Sequence, residues 1–157
     1  MPFIDQIAIV IHTVTAILWI GGMFLVFRVL RPAALILEPP IRLTLFLNVF
    51  NRFFPWVWVF IFALLLTGYW DWSARFGGLE TTPIYIQAMH IIGWIMILLF
   101  AWLYFVPFAH FKQYIANQDF PSAGKTMNDK VRPIIAINLF LGVVEAVIGS
   151  AGSYWFI

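Results

Sequence analysis

Three ionisable side chains stand inside long apolar runs of this sequence: His12, His90 and Glu145. A charged group in hydrocarbon is costly, so each is a functional candidate by its position alone. A neutral imidazole offers one lone-pair nitrogen to a metal and one N–H to an orienting acceptor. A carboxyl in the same surroundings can carry a proton as a catalytic group, or stay protonated and tie two helices together. A lone membrane histidine also serves as an interhelical hydrogen-bond partner. A metal site and simple helix packing both remain open at this point.

The elements that must position these groups are transmembrane helices. A span needs about 20 mainly apolar residues, and the sequence supplies four within a single domain, 1–157, with helices over about 3–31, 41–72, 83–116 and 131–156. The first carries acidic Asp5 in place of a basic leader and reads as a retained helix. A turn at Glu38-Pro39-Pro40 and an amphipathic stretch, Ile41 to Phe53, lead into the second span through a kink at Pro55. The Gly77-Gly78 pair marks a turn. Thr82 reads as an N-cap before Pro83 at the first helical position, and Asn117 to Lys130 as a polar link. The fold class is therefore all-α, an integral membrane four-helix bundle.

Basic residues orient it. Arg28, Arg31, Arg42 and Arg52 flank the first connection, and Lys112, Lys125, Lys130 and Arg132 the third; only Arg75 lies at the other face. The positive-inside rule makes the basic loops cytoplasmic and places the N and C termini outside, in what reads as a bacterial inner membrane. Helices 1 and 3 then run in the same direction. At 1.5 Å per residue His12 and His90 lie about 10–14 Å in from the outer end, and Glu145 roughly 15 Å in. All three share one layer.

Their neighbours fit a buried site. Thr15, Trp19 and Gly22 follow His12 on one stripe, and Gly93 lies one turn from His90. Asn138, Gly142, Glu145, Gly149 and Gly152 form a small-and-polar stripe on the last helix, a pattern that by itself also serves close packing. Two imidazoles at one depth predict axial ligands of haem b, with His12 and His90 on the iron. Trp19, Gly22 and Gly93 would line the cofactor, Arg75 would meet a propionate, and Glu145 would handle protons. A metal ion held by the same histidines with Met89 is the alternative. His110, beside Lys112, reads as a solvated interfacial group, and Trp56, Trp58, Trp70 and Trp72 as lipid anchors.

Composition excludes other classes. Hydrophobic residues make up 63% of the chain and charged residues 10%, against roughly 25% charged in soluble domains. The absence of cysteine removes disulfides, iron–sulfur clusters and thiolate metal sites. No phosphate loop, nucleophile elbow, HExxH or EF-hand pattern occurs. The basic groups flank membrane ends and make no continuous stripe, which argues against nucleic acid. The expected partners are membrane lipids, a redox partner of unidentified kind and further copies of the chain.

The run His12-Thr13-Val14-Thr15-Ala16-Ile17-Leu18-Trp19-Ile20-Gly21-Gly22-Met23-Phe24, followed by Arg28, resembles the first helix of the CopD/HemJ superfamily. Asn128-Asp129-Lys130-Val131-Arg132-Pro133 is similar to the Asn-Glu-Val-Pro segment opening the last helix of HemJ-like proteins, with two additional residues. The size and four-helix layout match almost the whole chain. The resemblance implies one of two activities. One is a haem-b membrane oxidoreductase acting on a small substrate such as protoporphyrinogen IX; the other is copper movement across the membrane. Helix 3 departs from the HemJ pattern, with Gln87-Ala88-Met89-His90 where a lysine is looked for. The leading expectation is a haem-b redox protein, then a CopD-type copper permease, then a structural subunit of a membrane complex.

Overall fold

The computed structural model describes residues 3–77 and 81–155, and every regular element among them is helical. The elements are α1 (Phe3–Phe24), α2 (Pro39–Phe76), α3 (Ile84–Phe105), α4 (Pro107–Ala116), α5 (Phe120–Thr126) and α6 (Arg132–Trp155). Four continuous stretches are long and apolar enough to cross a membrane: Phe3–Ile36, Pro39–Arg75, Ile84–Ala116 and Phe120–Gly152. Gly78, half of the turn expected after the second span, lies outside the described residues, as does the end of the last helix at 156.

Prolines set the boundaries. Pro39 and Pro40 open α2 behind an extended Glu38, where a missing N–H costs nothing. The amphipathic stretch and second span then form one helix with Pro55 inside it. The third span breaks at Val106 (φ −115°, ψ −76°), the residue before Pro107, because proline crowds the helical conformation of its predecessor. Thr82 is not the N-cap expected; Pro83 takes that place, and the Thr82 hydroxyl instead accepts from Trp72 Nε1 at 2.6 Å.

The expected polar link is largely helical. Asp119 caps α5 by accepting from Ser122 N at 3.1 Å, and Pro121 stands in the first turn. These are start signals that the reading over Asn117 to Lys130 passed over. Two π-helical segments, Leu25–Leu30 and Met127–Val131, each run into an Arg-Pro pair, Arg31-Pro32 and Arg132-Pro133. Proline clashes with the carbonyl four residues back, and a widened turn relieves that contact.

The tightest packing lies toward the basic end. Phe50 stacks on Phe54 at 4.8 Å, and Phe54 meets Phe100 and Phe108 edge-on at 5.3 and 4.8 Å. Phe50, Phe54, Phe108 and Phe111 are all buried. Offset and edge-on ring pairs of this kind add about 0.5–1.5 kcal/mol each to the burial term. In the other half small residues let helices approach: an added Cβ at Gly142 would lie 2.8 Å from Ile20, and one at Gly152 would lie 2.8 Å from the Tyr85 ring.

Candidate functional site

The inward stripe of α1 is Asp5, Ala8, Thr15, Trp19 and Met23, all buried, with His12 half-buried on it. The Thr15 hydroxyl returns to the carbonyl of Ile11. His12 Nδ1 lies 2.9 Å from Thr67 Oγ1 on α2, and its Cε1 rests on Gly68, 3.3 Å from where a Cβ would stand. Thr67 gives its only proton to the carbonyl of Ala63 at 2.7 Å. With the hydroxyl proton so directed, the Thr67 oxygen accepts from His12 Nδ1–H and the lone pair falls on Nε2. Nε2 is the nitrogen available to a metal.

His90 sits in an aromatic box on the next face of α2. Its ring is edge-on to Tyr69 at 5.2 Å and close to Trp72 at 4.9 Å, with Trp94 at 6.5 Å. Trp94 Nε1 donates to the Tyr69 hydroxyl at 3.3 Å, and that hydroxyl lies 3.3 Å from His90 Nε2. Tyr69 and Trp94 remain 44% and 39% exposed, so the box opens toward lipid. At 3.6 residues per turn, the Thr67–Gly68 and Tyr69–Trp72 faces lie roughly 120° apart around α2. The two imidazoles thus meet one short stretch of α2 from adjacent sides.

Glu145 occupies a third interface, between α3 and α6. Its Oε1 is buried without a hydrogen-bond partner, 3.8 Å from where a Gly93 Cβ would stand. Met89, a turn outward on α3, lays its Cε and Sδ against Gly149. Nearer the core, Asn138 Nδ2 donates to the carbonyl of Met96 at 3.2 Å and ties α6 to α3.

The remaining candidates are placed elsewhere. Trp19 is a core residue, 4% exposed and edge-on to Phe100. Arg75 pairs with Asp71 one turn back at 2.6 Å. His110 is exposed. Trp56 and Trp70 are 60% and 48% exposed, while Trp70 Nε1 also donates to Asp5 at 3.2 Å and Trp58 packs edge-on to Phe100. The space expected beside two glycines is filled: the Phe53 ring would lie 2.4 Å from a Cβ at Gly22, and the Glu145 carboxyl covers Gly93. In this packing neither glycine presents an open face to a macrocycle. Sequence reasoning missed Thr67 and Tyr69, and it read Trp72, which packs against His90, as a lipid anchor. A lone Thr-Gly pair within Leu64-Leu65-Leu66-Thr67-Gly68 was the signal for the first.

Four apolar helices carrying half-buried imidazoles and a half-buried carboxyl define a small integral membrane protein with polar groups inside its spans. The family model for copper resistance protein D, CopD, matches residues 47–152, about two thirds of the chain. The chain belongs to the CopD family. The matched segment includes Thr67, His90 and Glu145, while His12 precedes it. No curated protein and no solved structure matches the chain.

Proposed function

We propose that this protein moves copper within the membrane, with His12 and His90 as its ligands in the outer half and the basic end cytoplasmic. The observation that carries the reading is the His12–Thr67 pair: with Nδ1 donating to the threonine, Nε2 keeps the lone pair that copper would take. Family membership supports copper as the cargo. The donors stand on separate interfaces: His12 between α1 and α2, His90 between α2 and α3, Met89 and Glu145 between α3 and α6. Donors spread in this way suit an ion that is held loosely and passed on, since transit needs binding weak enough to leave. Neutral imidazole and thioether suit Cu(I), and in this reading Glu145 takes or releases the proton that accompanies a change of charge.

The test is copper flux into sealed vesicles containing the protein and an internal chelating dye. Flux above protein-free vesicles is expected, with His12→Ala and His90→Ala both reducing it to background. Wild-type flux equal to background would overturn the reading.

A second reading, a haem-b redox protein with His12 and His90 as axial ligands, draws on one observation: both imidazoles meet the same stretch of α2. It requires the Gly93–Glu145 contact to open. A Soret band with a sharp reduced α-band in protein purified with haem plentiful would favour it over copper.

A further inference from the structure

At the basic end, the turns around the two π-helical segments border an open-mouthed cavity of about 200 Å³. Its lining includes three guanidiniums, Arg31, Arg42 and Arg132, and apolar walls from Phe27, Phe46 and Phe120. These arginines differ from the others nearby. They are half-buried, whereas Arg28, Arg52 and Lys130 are exposed. Arg31 and Arg132 lie close enough to repel each other. The one ion pair recorded among the described residues is Arg75–Asp71, in the loop-side turn of α2 far along the helix from Arg42.

Holding three like charges around one apolar hollow is unfavourable unless an anion completes it. The backbone is shaped to hold them there. Each π-helical segment ends at an Arg-Pro pair, and the widened turns bring Arg31 and Arg132, from opposite ends of the sequence, onto one cavity. Guanidinium is the group best matched to phosphate oxygens, through paired N–H donors. Rings beside it suit an acyl chain, not water. A free phosphate has no use for the Phe27, Phe46 and Phe120 walls, whereas a phospholipid uses both halves.

We infer that this cavity is a binding site for an anionic phospholipid, its phosphate among Arg31, Arg42 and Arg132 and an acyl chain along the phenylalanine wall. Basic pockets between spans at a membrane face hold acidic headgroups by the same physics. The site is separate from the histidine layer and does not depend on copper.

Native mass spectrometry of the purified protein, with phosphatidylglycerol and phosphatidylcholine supplied at equal concentration, tests it. At ~1 kcal/mol per basic side chain, wild type should retain phosphatidylglycerol by one to two orders of magnitude over phosphatidylcholine. Arg31→Gln/Arg42→Gln/Arg132→Gln should bring the two near parity, and Arg28→Gln/Arg52→Gln, on the exposed surface of the same end, should leave the preference within about twofold. The single variant Arg42→Gln, expected to lose part of the preference, serves if the triple variant does not insert. Equal loss in the exposed pair would show a diffuse surface charge and overturn the site. Displacement of the lipid by millimolar inorganic phosphate would make it a free-anion site and overturn the lipid assignment, as would no preference in wild type.

Discussion

His12 and Thr67 meet at 2.9 Å across the α1–α2 interface, and the histidine is the donor because the Thr67 proton is already committed to the Ala63 carbonyl. With His12 donating through Nδ1, the lone pair falls on Nε2, the nitrogen a metal would use under the proposed function. Thr67→Val keeps the shape and removes the acceptor. Copper affinity should fall about 10- to 100-fold, as for other groups that orient a ligating histidine, while Thr67→Ser stays near wild type. A Cu(I) competition titration checks this, and an unchanged Thr67→Val would break the link between the threonine and the ligand.

The architecture of this site was partly legible in the sequence. Span number, the shared layer of His12, His90 and Glu145, and the stripe Thr15–Trp19 follow from helical periodicity, which a lipid environment enforces strictly. Which interface each group enters was not legible. Helix rotation is set by packing, and the decisive contacts are between spans: Phe53 against Gly22, Glu145 against Gly93, and Tyr69 and Trp72 around His90. Glycines on a stripe signal close approach without saying what approaches. Here a ring and a carboxyl fill space that the sequence alone suggested for a macrocycle.

That packing gives a paired prediction. Gly22→Val would drive a side chain into the Phe53 ring, where even a Cβ would lie 2.4 Å away. Overpacking of this kind costs about 1–3 kcal/mol, seen as a lower midpoint of thermal unfolding in detergent. Phe53→Ala should restore part of that loss in the double variant, since the two residues share one contact. Purely additive losses would mean that the contact is not the cause.

Orientation can be tested because the native chain has no cysteine. Ala74→Cys lies in the last turn of α2, and Asn117→Cys at the basic end; both positions are exposed. In intact cells a membrane-impermeant maleimide should label position 74 and leave position 117 unlabelled until the membrane is opened. The reverse pattern would invert the proposed topology.

The basic end also carries a pH-sensitive cap. Hydrogen bonds from Ser122 hold the Asp119 carboxyl below the usual carboxylate range. A depressed folded value means stabilisation that is present above the unfolded value and lost as pH falls through the folded one. Acidification below about pH 4 should therefore give faster amide exchange at the start of α5 relative to the intrinsic rate, which itself falls in acid. Asp119→Ala should show that faster exchange at neutral pH and lose the acid response. An acid response that persists in Asp119→Ala would assign it to another group.

The central claim is that His12 and His90 hold copper, and stoichiometric copper loading of the purified protein tests it most directly. In anaerobic equilibrium dialysis against Cu(I), wild type should hold about one copper per chain above the protein-free background. His12→Ala and His90→Ala should each lose most of it, and Glu145→Gln should keep it, with the effect of that change confined to flux. Retention by His12→Ala/His90→Ala at the wild-type level would contradict the account, as would wild-type protein that retains no copper.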